Sequence, residues 1–241
     1  MTPTPAAIDV AILAGGLGTR LRGAIGDRPK VLAPVAGRAF LDLLLDRLAA
    51  QGFRRVVLLL GHRAEIVLAH LAAHPRTDLA VATTIEPQPL GTAGALRAAL
   101  PLLTSDPVMV LNGDTLTGFE AATFIAVHAR SGASATLLAV EVPDAGRYGA
   151  LEIDAQGRLL RFHEKRAGAG PGLINAGVYL LGRGFLDGLA ASAGPSLERD
   201  VLERQPPATL ATWRTTSPFI DIGTPESLAQ APAVLGLEAG S

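Results

Sequence analysis

The 241 residues of the chain fill the upper size range of one α/β domain and can bury most of their apolar surface in one core. With 49% hydrophobic residues the bulk of the chain is not disordered, and the absence of cysteine excludes disulfides, thiolate zinc sites and a cysteine nucleophile. A net charge of −1 supplies no global field for nucleic acid, so any anion must be held by a local site.

The N-terminus, Met1-Thr-Pro-Thr-Pro-Ala-Ala, lacks the basic region of a signal peptide. Short apolar runs then alternate with helical patterns, the rhythm of a mostly parallel sheet. In order, the chain predicts a strand at Ile8–Leu13, a helix at Phe40–Gln51 stopped by Gly52, and a strand at Arg55–Leu60. A helix at Arg63–Ala73, a strand at Leu79–Thr84, a helix at Thr92–Leu100 and a strand at Val108–Leu111 follow. Next come a helix at Phe119–Arg130 and a strand at Ala135–Val142. Beyond residue 140 the pattern changes to a hairpin, Gly149–Ile153 and Leu159–His163 around Asp154-Ala-Gln-Gly157, and a strand at Ala176–Leu181. Helices are predicted at Leu197–Arg204 and at Pro225–Leu235, the latter with Thr224 as N-cap and Pro225 in the first helical position. The longest uncharged run, 167–182, is broken by five glycines, Pro171 and Asn175. It falls short of the roughly 18 apolar residues that a membrane span needs. The expectation is a cytoplasmic, single-domain α/β chain over residues 1–241. Its sheet is Rossmann-like and mostly parallel, flanked by helices, with a smaller lobe inserted over the C-terminal edge.

Ligands of open parallel sheets bind at the carboxyl ends of the strands, so motifs placed there carry most weight. Directly after the first strand stands Leu13-Ala-Gly-Gly-Leu-Gly-Thr-Arg-Leu-Arg22. Its glycines let backbone N–H groups approach an anion, and its arginines add charge. It is not a P-loop, which ends in Gly-Lys-Ser/Thr. With leucine at position 21 it is also a poor dinucleotide fingerprint, which argues against a dehydrogenase. Of 21 basic residues only Lys30 and Lys165 are lysines, compact point charges suited to phosphate.

The glycine loop and Arg28-Pro-Lys-Val-Leu-Ala-Pro-Val35 together resemble the sugar-1-phosphate nucleotidyltransferases. The likeness continues through Glu86-Pro-Gln-Pro-Leu-Gly-Thr-Ala-Gly94, Leu111-Asn-Gly-Asp-Thr115, Tyr148-Gly149, Phe162-His-Glu-Lys165, Asn175-Ala-Gly-Val-Tyr179 and Phe219-Ile-Asp-Ile-Gly-Thr-Pro225. In general look the chain is similar to the short D-glycero-α-D-manno-heptose 1-phosphate guanylyltransferases. The family reaction is attack of a sugar-1-phosphate oxygen on the α-phosphorus of a nucleoside triphosphate, with release of pyrophosphate. Both substrates are polyanions, so the protein's work is positioning and charge stabilisation.

The resemblance implies a role for each motif. Leu13, Ala14, Gly15, Gly16, Gly18 and Thr19 would hold the triphosphate, with Arg20 on its β/γ end. Lys30 would bridge phosphates at the reacting α-phosphorus, and Lys165 would hold the sugar phosphate. Asp114 and Asp221, each readable alone as a turn or cap residue, occupy the family's two positions for Mg²⁺, which takes one or two carboxylates plus phosphates and water. Pro89, Gly91, Thr92, Asn112 and Gly113 would pass close to the nucleotide. Glu86 presents two acceptors that complement the N1–H and N2–H₂ donors of guanine, favouring GTP, although uracil and thymine would use half of that pair. Tyr148, Gly149, Glu164, Asn175 and Ala176 would line the acceptor-sugar pocket. His163 reads as incidental.

In this reading residues 8–140 form the nucleotide core, 141–220 mainly the acceptor lobe, and 221–236 a closing helix. The chain departs from the family pattern at Val31-Leu-Ala-Pro34, where many members carry a second proline, and at Arg166, where proline is common; a C-terminal repeat array is not expected. Mannose 1-phosphate with GTP, or an amino-sugar 1-phosphate with UTP, are alternative substrates, and a silent NDP-sugar-binding regulator is the alternative from another class. A homo-oligomer is compatible with the resemblance; nucleic acid and membrane partners are not expected.

Overall fold

The computed structural model describes residues 2–163, 166, 168 and 170–237. Along the chain, β1 (Asp9–Leu13) leads through the four-residue α1 (Arg22–Ile25) and the ribbon of β2 (Pro34–Val35) and β3 (Arg38–Ala39) into α2 (Phe40–Ala50). β4 (Arg55–Leu60), α3 (Ala64–Ala73), β5 (Ala80–Ile85), α4 (Gly91–Ala99) and β6 (Val108–Asn112) alternate after it. Next come β7 (Thr115–Thr117), α5 (Ala121–Ser131), β8 (Ala135–Val142), and the hairpin of β9 (Leu151–Ile153) and β10 (Leu159–Phe162). The chain closes with β11 (Gly172–Leu181), α6 (Arg183–Ala191), β12 (Ala211–Thr215), β13 (Phe219–Asp221) and α7 (Pro225–Val234).

Seven strands form one sheet in the order β12-β8-β11-β6-β1-β4-β5. All run parallel except β11, which is antiparallel to both β6 and β8. The central strands are apolar on both faces because helices cover both: Val10, Ala11 and Ile12 of β1 and Val56, Val57 and Leu58 of β4 are fully buried. Burying each such aliphatic side chain stabilises the fold by about 2 kcal/mol. β5, at the edge, is only half-buried and carries Thr83 and Thr84. α2 turns Leu41, Leu44, Leu45 and Leu48 inward at helical spacing. α7 starts on a capping box, with Thr224 Oγ1 accepting from Ser227 N at 3.2 Å. Among the described residues no helix is long and apolar enough to cross a membrane.

The elements expected from the pattern are present, with several differences. The helix expected from Phe119 starts at Ala121, because Gln51 takes over the preceding backbone: its Nε2 donates to Phe119 O at 2.6 Å and its Oε1 accepts from Ala121 N at 2.9 Å. Arg63 is outside α3, with φ +58. The helix expected at Leu197–Arg204 is a π-wound segment over Leu197–Leu202, N-capped by Ser196. Residues 141–220 divide between the β9–β10 hairpin with its adjoining loops and two strands, β11 and β12, that return to the main sheet. β12 reads Ala-Thr-Trp-Arg-Thr because an edge strand keeps a wet side, so it lacks the apolar run of a central strand. α6 and the ribbon of β7 with β13 also went unmarked in the sequence pattern.

One buried charge ties the start of the sheet to its middle. Asp9, 6% exposed, accepts from Arg55 at 2.6 Å, from Thr104 N at 2.6 Å and from Ser105 N at 3.1 Å. Burial pushes its carboxyl up, but the bonds from Arg55, Thr104 and Ser105 outweigh this and hold it below the ordinary carboxylate value. Its stabilising contribution is therefore present above the unfolded-state pKa and is lost as pH falls through the depressed value. Asp9→Ala should lower unfolding free energy by about 3 kcal/mol at neutral pH. In urea titrations the gap to the wild type should narrow as pH falls below the ordinary carboxylate value; an equal gap at neutral and acid pH would contradict the assignment.

Candidate functional site

The site is built at the carboxyl ends of β1, β4 and β6. Immediately after β6 the chain turns at Gly113, whose N donates to Leu13 O at 2.9 Å; a Cβ there would lie 2.6 Å from that carbonyl. Asp114 follows, then β7, which pairs antiparallel with β13 in the register Thr115↔Asp221, Leu116↔Ile220 and Thr117↔Phe219. Ile222 N closes the end of the ribbon on Asp114 O at 3.0 Å. Two aspartates 107 positions apart in sequence (221 − 114) are thereby brought to one end of a short ribbon.

Lys30 stands between them. It opens a short 3-10 turn, Lys30–Leu32, anchored by buried Val31 and Leu32. Its Nζ donates to Asp114 Oδ2 and lies 3.8 Å from Asp221 Oδ1, with the side chain 13% exposed. Arg20 approaches from the 3-10 turn after the glycine loop. A Cβ on Gly223 would sit 2.7 Å from Asp221 Oδ1, 3.1 Å from an Arg20 terminal nitrogen and 3.3 Å from Lys30 Nζ, so all three charges crowd one backbone position. Burial and then the charge of Asp114 push the Asp221 carboxyl above its ordinary value, against the pull of Lys30, Gly223 N–H and Arg20.

Two converging carboxylates are hard oxygen donors that fit a divalent cation. Asn112, which lines the cavities on both sides of this centre, has a buried Oδ1 with no partner among the described residues. No cluster of three or more ligating His, Asp or Glu side chains is present among the described residues, so a cation here would complete its shell from substrate oxygens and water.

A cavity of about 290 Å³ opens on one side of this centre. Leu13, Ala14, Gly15, Gly16, Glu86, Pro89, Gly91, Thr92, Asn112 and Gly113, all expected at a nucleotide, line it, together with Lys30 and Asp114. Gly18 and Thr19 stand outside its lining: Gly18, at φ +58, turns the loop against Lys30 and opens the short turn beginning at Thr19. Glu86 Oε2 accepts from Leu90 N at 3.0 Å. Its Oε1 packs where a Cβ of Gly15 would be 2.9 Å away and one of Gly61 2.5 Å away. Gly61 was not foreseen, although a glycine at the carboxyl end of a parallel strand was a usable signal. Leu17, Val31, Leu59, Ala95 and Glu198 complete the lining and were also not foreseen.

A second cavity, about 570 Å³, opens on the other side. Tyr148, Gly149 and Asn175 line it as expected, with Asp114 and Asp221 at its inner end. Tyr148 packs edge-on against Phe219 at 5.4 Å, and burial raises its phenol pKa. Ala176, expected here, is buried and stands outside the lining, its carbonyl taken up by Thr115 Oγ1 at 3.2 Å. His163, read as incidental in the sequence, lines the cavity and pairs with Glu152 at 2.9 Å. Phe162, Ser196, Glu198, Arg199, Glu203 and Phe219 join it without having been foreseen. Glu164 and Lys165 lie outside the described residues. Asn112, Asp114 and Glu198 border both cavities.

Comparison with known proteins bears on this arrangement. A family model described as nucleotidyl transferase matches residues 10–235. A mannose-1-phosphate guanylyltransferase of Mycobacterium tuberculosis is 33% identical over 235 residues, covering 95% of this chain but 64% of that protein. A D-glycero-α-D-manno-heptose 1-phosphate guanylyltransferase of Campylobacter jejuni is 32% identical over 216 residues, covering 89% of this chain and 94% of that one. The crystal structure of HddC from Yersinia pseudotuberculosis superposes with a TM-score of 0.83 at 33% identity, covering 95% of this chain and 99% of that chain, and a second structure holds it with GMP-PN.

The junction of the two cavities depends on a backbone that admits no side chain. Gly177 has φ +72, and a Cβ on it would lie 2.7 Å from Asn112 Nδ2 and 3.0 Å from Thr115 Oγ1. Gly177→Ala should therefore destabilise the chain by about 1–3 kcal/mol. Gly16→Ala, which meets nothing within 4 Å, should shift denaturation by less than about 0.5 kcal/mol. Equal midpoints for the two variants in guanidinium titrations would refute the close-contact argument.

Proposed function

The chain belongs to the nucleotidyl transferase family, and on that premise we propose that it transfers the guanylyl group of GTP to D-glycero-α-D-manno-heptose 1-phosphate, releasing pyrophosphate. The observation that carries this reading is the placement of Asp114, Asp221 and Lys30 where a nucleotide-sized cavity meets a second, more polar one. A sugar-phosphate oxygen arriving from the second cavity attacks the α-phosphorus held in the first; one P–O bond forms as the bond to pyrophosphate breaks. The heptose and mannose relatives support a guanylyl transfer.

The chain's own groups divide the work. Backbone N–H groups of the glycine loop hold the triphosphate, and Arg20 takes the charge that accumulates on departing pyrophosphate. Lys30, stored on Asp114 in the free protein, turns to the α-phosphate. Glu86, held by Leu90 N and pressed against Gly15 and Gly61, offers its carboxylate to the guanine edge. Tyr148, Gly149, Glu164 and Asn175 hold the sugar, and Lys165 its phosphate. Enzymes of this family generally use a divalent metal. In this reading it is Mg²⁺, held by Asp114 and Asp221, which when bound supplies neutralisation of the phosphate charge. Residues 8–140 serve the nucleotide, 141–220 mainly the acceptor, and 221–236 close the site; the reaction takes place in the cytoplasm.

The test is pyrophosphate release with Mg²⁺, crossing GTP, UTP, dTTP, CTP and ATP with heptose, mannose, glucose and N-acetylhexosamine 1-phosphates. Release with GTP and heptose 1-phosphate is the expected result. Preference for mannose 1-phosphate would replace the acceptor, and no release with any pair would favour a silent nucleotide-sugar-binding protein. Asp114→Asn and Asp221→Asn should each lower kcat by about 10³-fold or more with little change in Tm; near-normal turnover in either would remove that residue from the centre. Glu86→Gln should narrow the preference for GTP over UTP by about 10-fold, through loss of one acceptor facing the base.

A further inference from the structure

The wall between the two cavities is a carboxylate that the chemistry above does not use. Glu198 lies on the π-wound segment after Ser196 and borders both cavities. Its Oε2 accepts from Thr92 Oγ1 at 3.2 Å and from Ser196 Oγ at 3.4 Å. Its Oε1 accepts from the phenol of Tyr179 at 3.2 Å. Its hydrogen bonds run to protein groups, Thr92, Ser196 and Tyr179, so its role lies in what it holds in the fold.

Tyr179 sits in β11 with no solvent exposure, opposite Val110 of β6 and Leu137 of β8. Burial, then the charge of Glu198, raises its pKa well above the ordinary phenol value, so the hydroxyl keeps its proton. A phenol has one proton to give, and the carboxylate is the stronger acceptor. That leaves only lone pairs facing Asn175, and these are met by Asn175 Nδ2 at 2.8 Å. At the other end of the amide, Asn175 Oδ1 accepts from Gly177 N at 3.0 Å. The amide is therefore held in one of its two flips, with one N–H and one carbonyl lone pair left for a ligand of the second cavity.

We infer that Glu198, acting through Tyr179, is the positioning residue that sets the donor and acceptor ends of Asn175 toward the acceptor sugar, and that Thr92 ties this relay to the nucleotide cavity. The inference rests on the reading of the second cavity as the acceptor site. Without the carboxylate, the phenol proton is free to turn to Asn175 Oδ1, and the flipped amide would present a donor where the sugar expects an acceptor. Thr92 Oγ1 also accepts from Leu197 N at 2.7 Å, which ties α4, opening at the nucleotide cavity, to the segment carrying Glu198.

The full-length protein tests this in two ways. In steady-state kinetics with GTP and heptose 1-phosphate, or mannose 1-phosphate if that is the better acceptor, Tyr179→Phe should raise the acceptor KM about 10-fold while leaving the GTP KM within about 2-fold. Glu198→Leu should raise the acceptor KM similarly, Glu198→Gln should restore it to within about 3-fold, and the Tyr179→Phe/Glu198→Leu double variant should be no worse than the poorer single one. The second readout needs no turnover: the side-chain ¹⁵NH₂ resonance of Asn175, identified by its loss in Asn175→Ala, should shift in Tyr179→Phe and in Glu198→Leu but not in Glu198→Gln. An unchanged acceptor KM in Tyr179→Phe, additive effects in the double variant, or an Asn175 resonance indifferent to both substitutions would overturn the relay. Absence of turnover in the wild type would instead overturn the substrate reading, with the resonance still deciding whether the relay exists.

Discussion

The pairing of β7 with β13 forces Asp114 and Asp221 together, and much of the surrounding structure answers the repulsion that results. Lys30 is held between them by a turn whose next two residues are buried, so the cation is part of the fold and not a surface side chain that happens to reach inward. Arg20 closes on the same point from the other end of the glycine loop. Gly223 leaves room for both cations beside Asp221 and gives that carboxylate a backbone N–H at 2.6 Å. Even so, Asp221 is held above its ordinary pKa, chiefly by burial and then by the charge of Asp114, which Lys30, the Gly223 N–H and Arg20 only partly offset.

Close backbone approach is the second organising feature. Gly15 and Gly61 make the hollow that Glu86 occupies, Gly113 lets the turn after β6 press against Leu13 of β1, and Gly177 lets β11 close on Asn112 and Thr115. Gly91 sits against the Pro195 backbone, where Ala93 N donates to Pro195 O at 2.9 Å, and so docks the start of α4 on the segment that carries Glu198. Asn112, Asp114 and Glu198 form the border that the two cavities share.

Most of the fold could be read from the sequence because β1, β4 and β6 are apolar on both faces and stand clear of their neighbours. The nucleotide side was legible for the same reason: its residues follow strands directly and sit in glycine-rich runs. The acceptor side was harder. Its lining comes from residues such as Phe162, Arg199 and Phe219, which carry no local pattern and meet only through the hairpin, the π-wound segment and the β7–β13 ribbon. That ribbon went unmarked because each strand is three residues long, too short for alternation to register, and its partner lies a hundred residues away. Glu198 was hidden by its own setting, since a glutamate in an apparently amphipathic helix reads as solvated surface.

The irregularity in β11 has one more consequence. Between Asn175 and Tyr179 the pairing with β8 shifts register, so the strand is held in two blocks, 172–175 on β8 and 178–181 between β6 and β8. The outer block and everything hung from it can accept insertions, deletions or new side chains while the inner block keeps its alignment with Val108–Leu111. The lining of the second cavity, to which Asn175 belongs, can therefore vary in the outer block while Asp114, which follows β6, keeps its place beside Lys30.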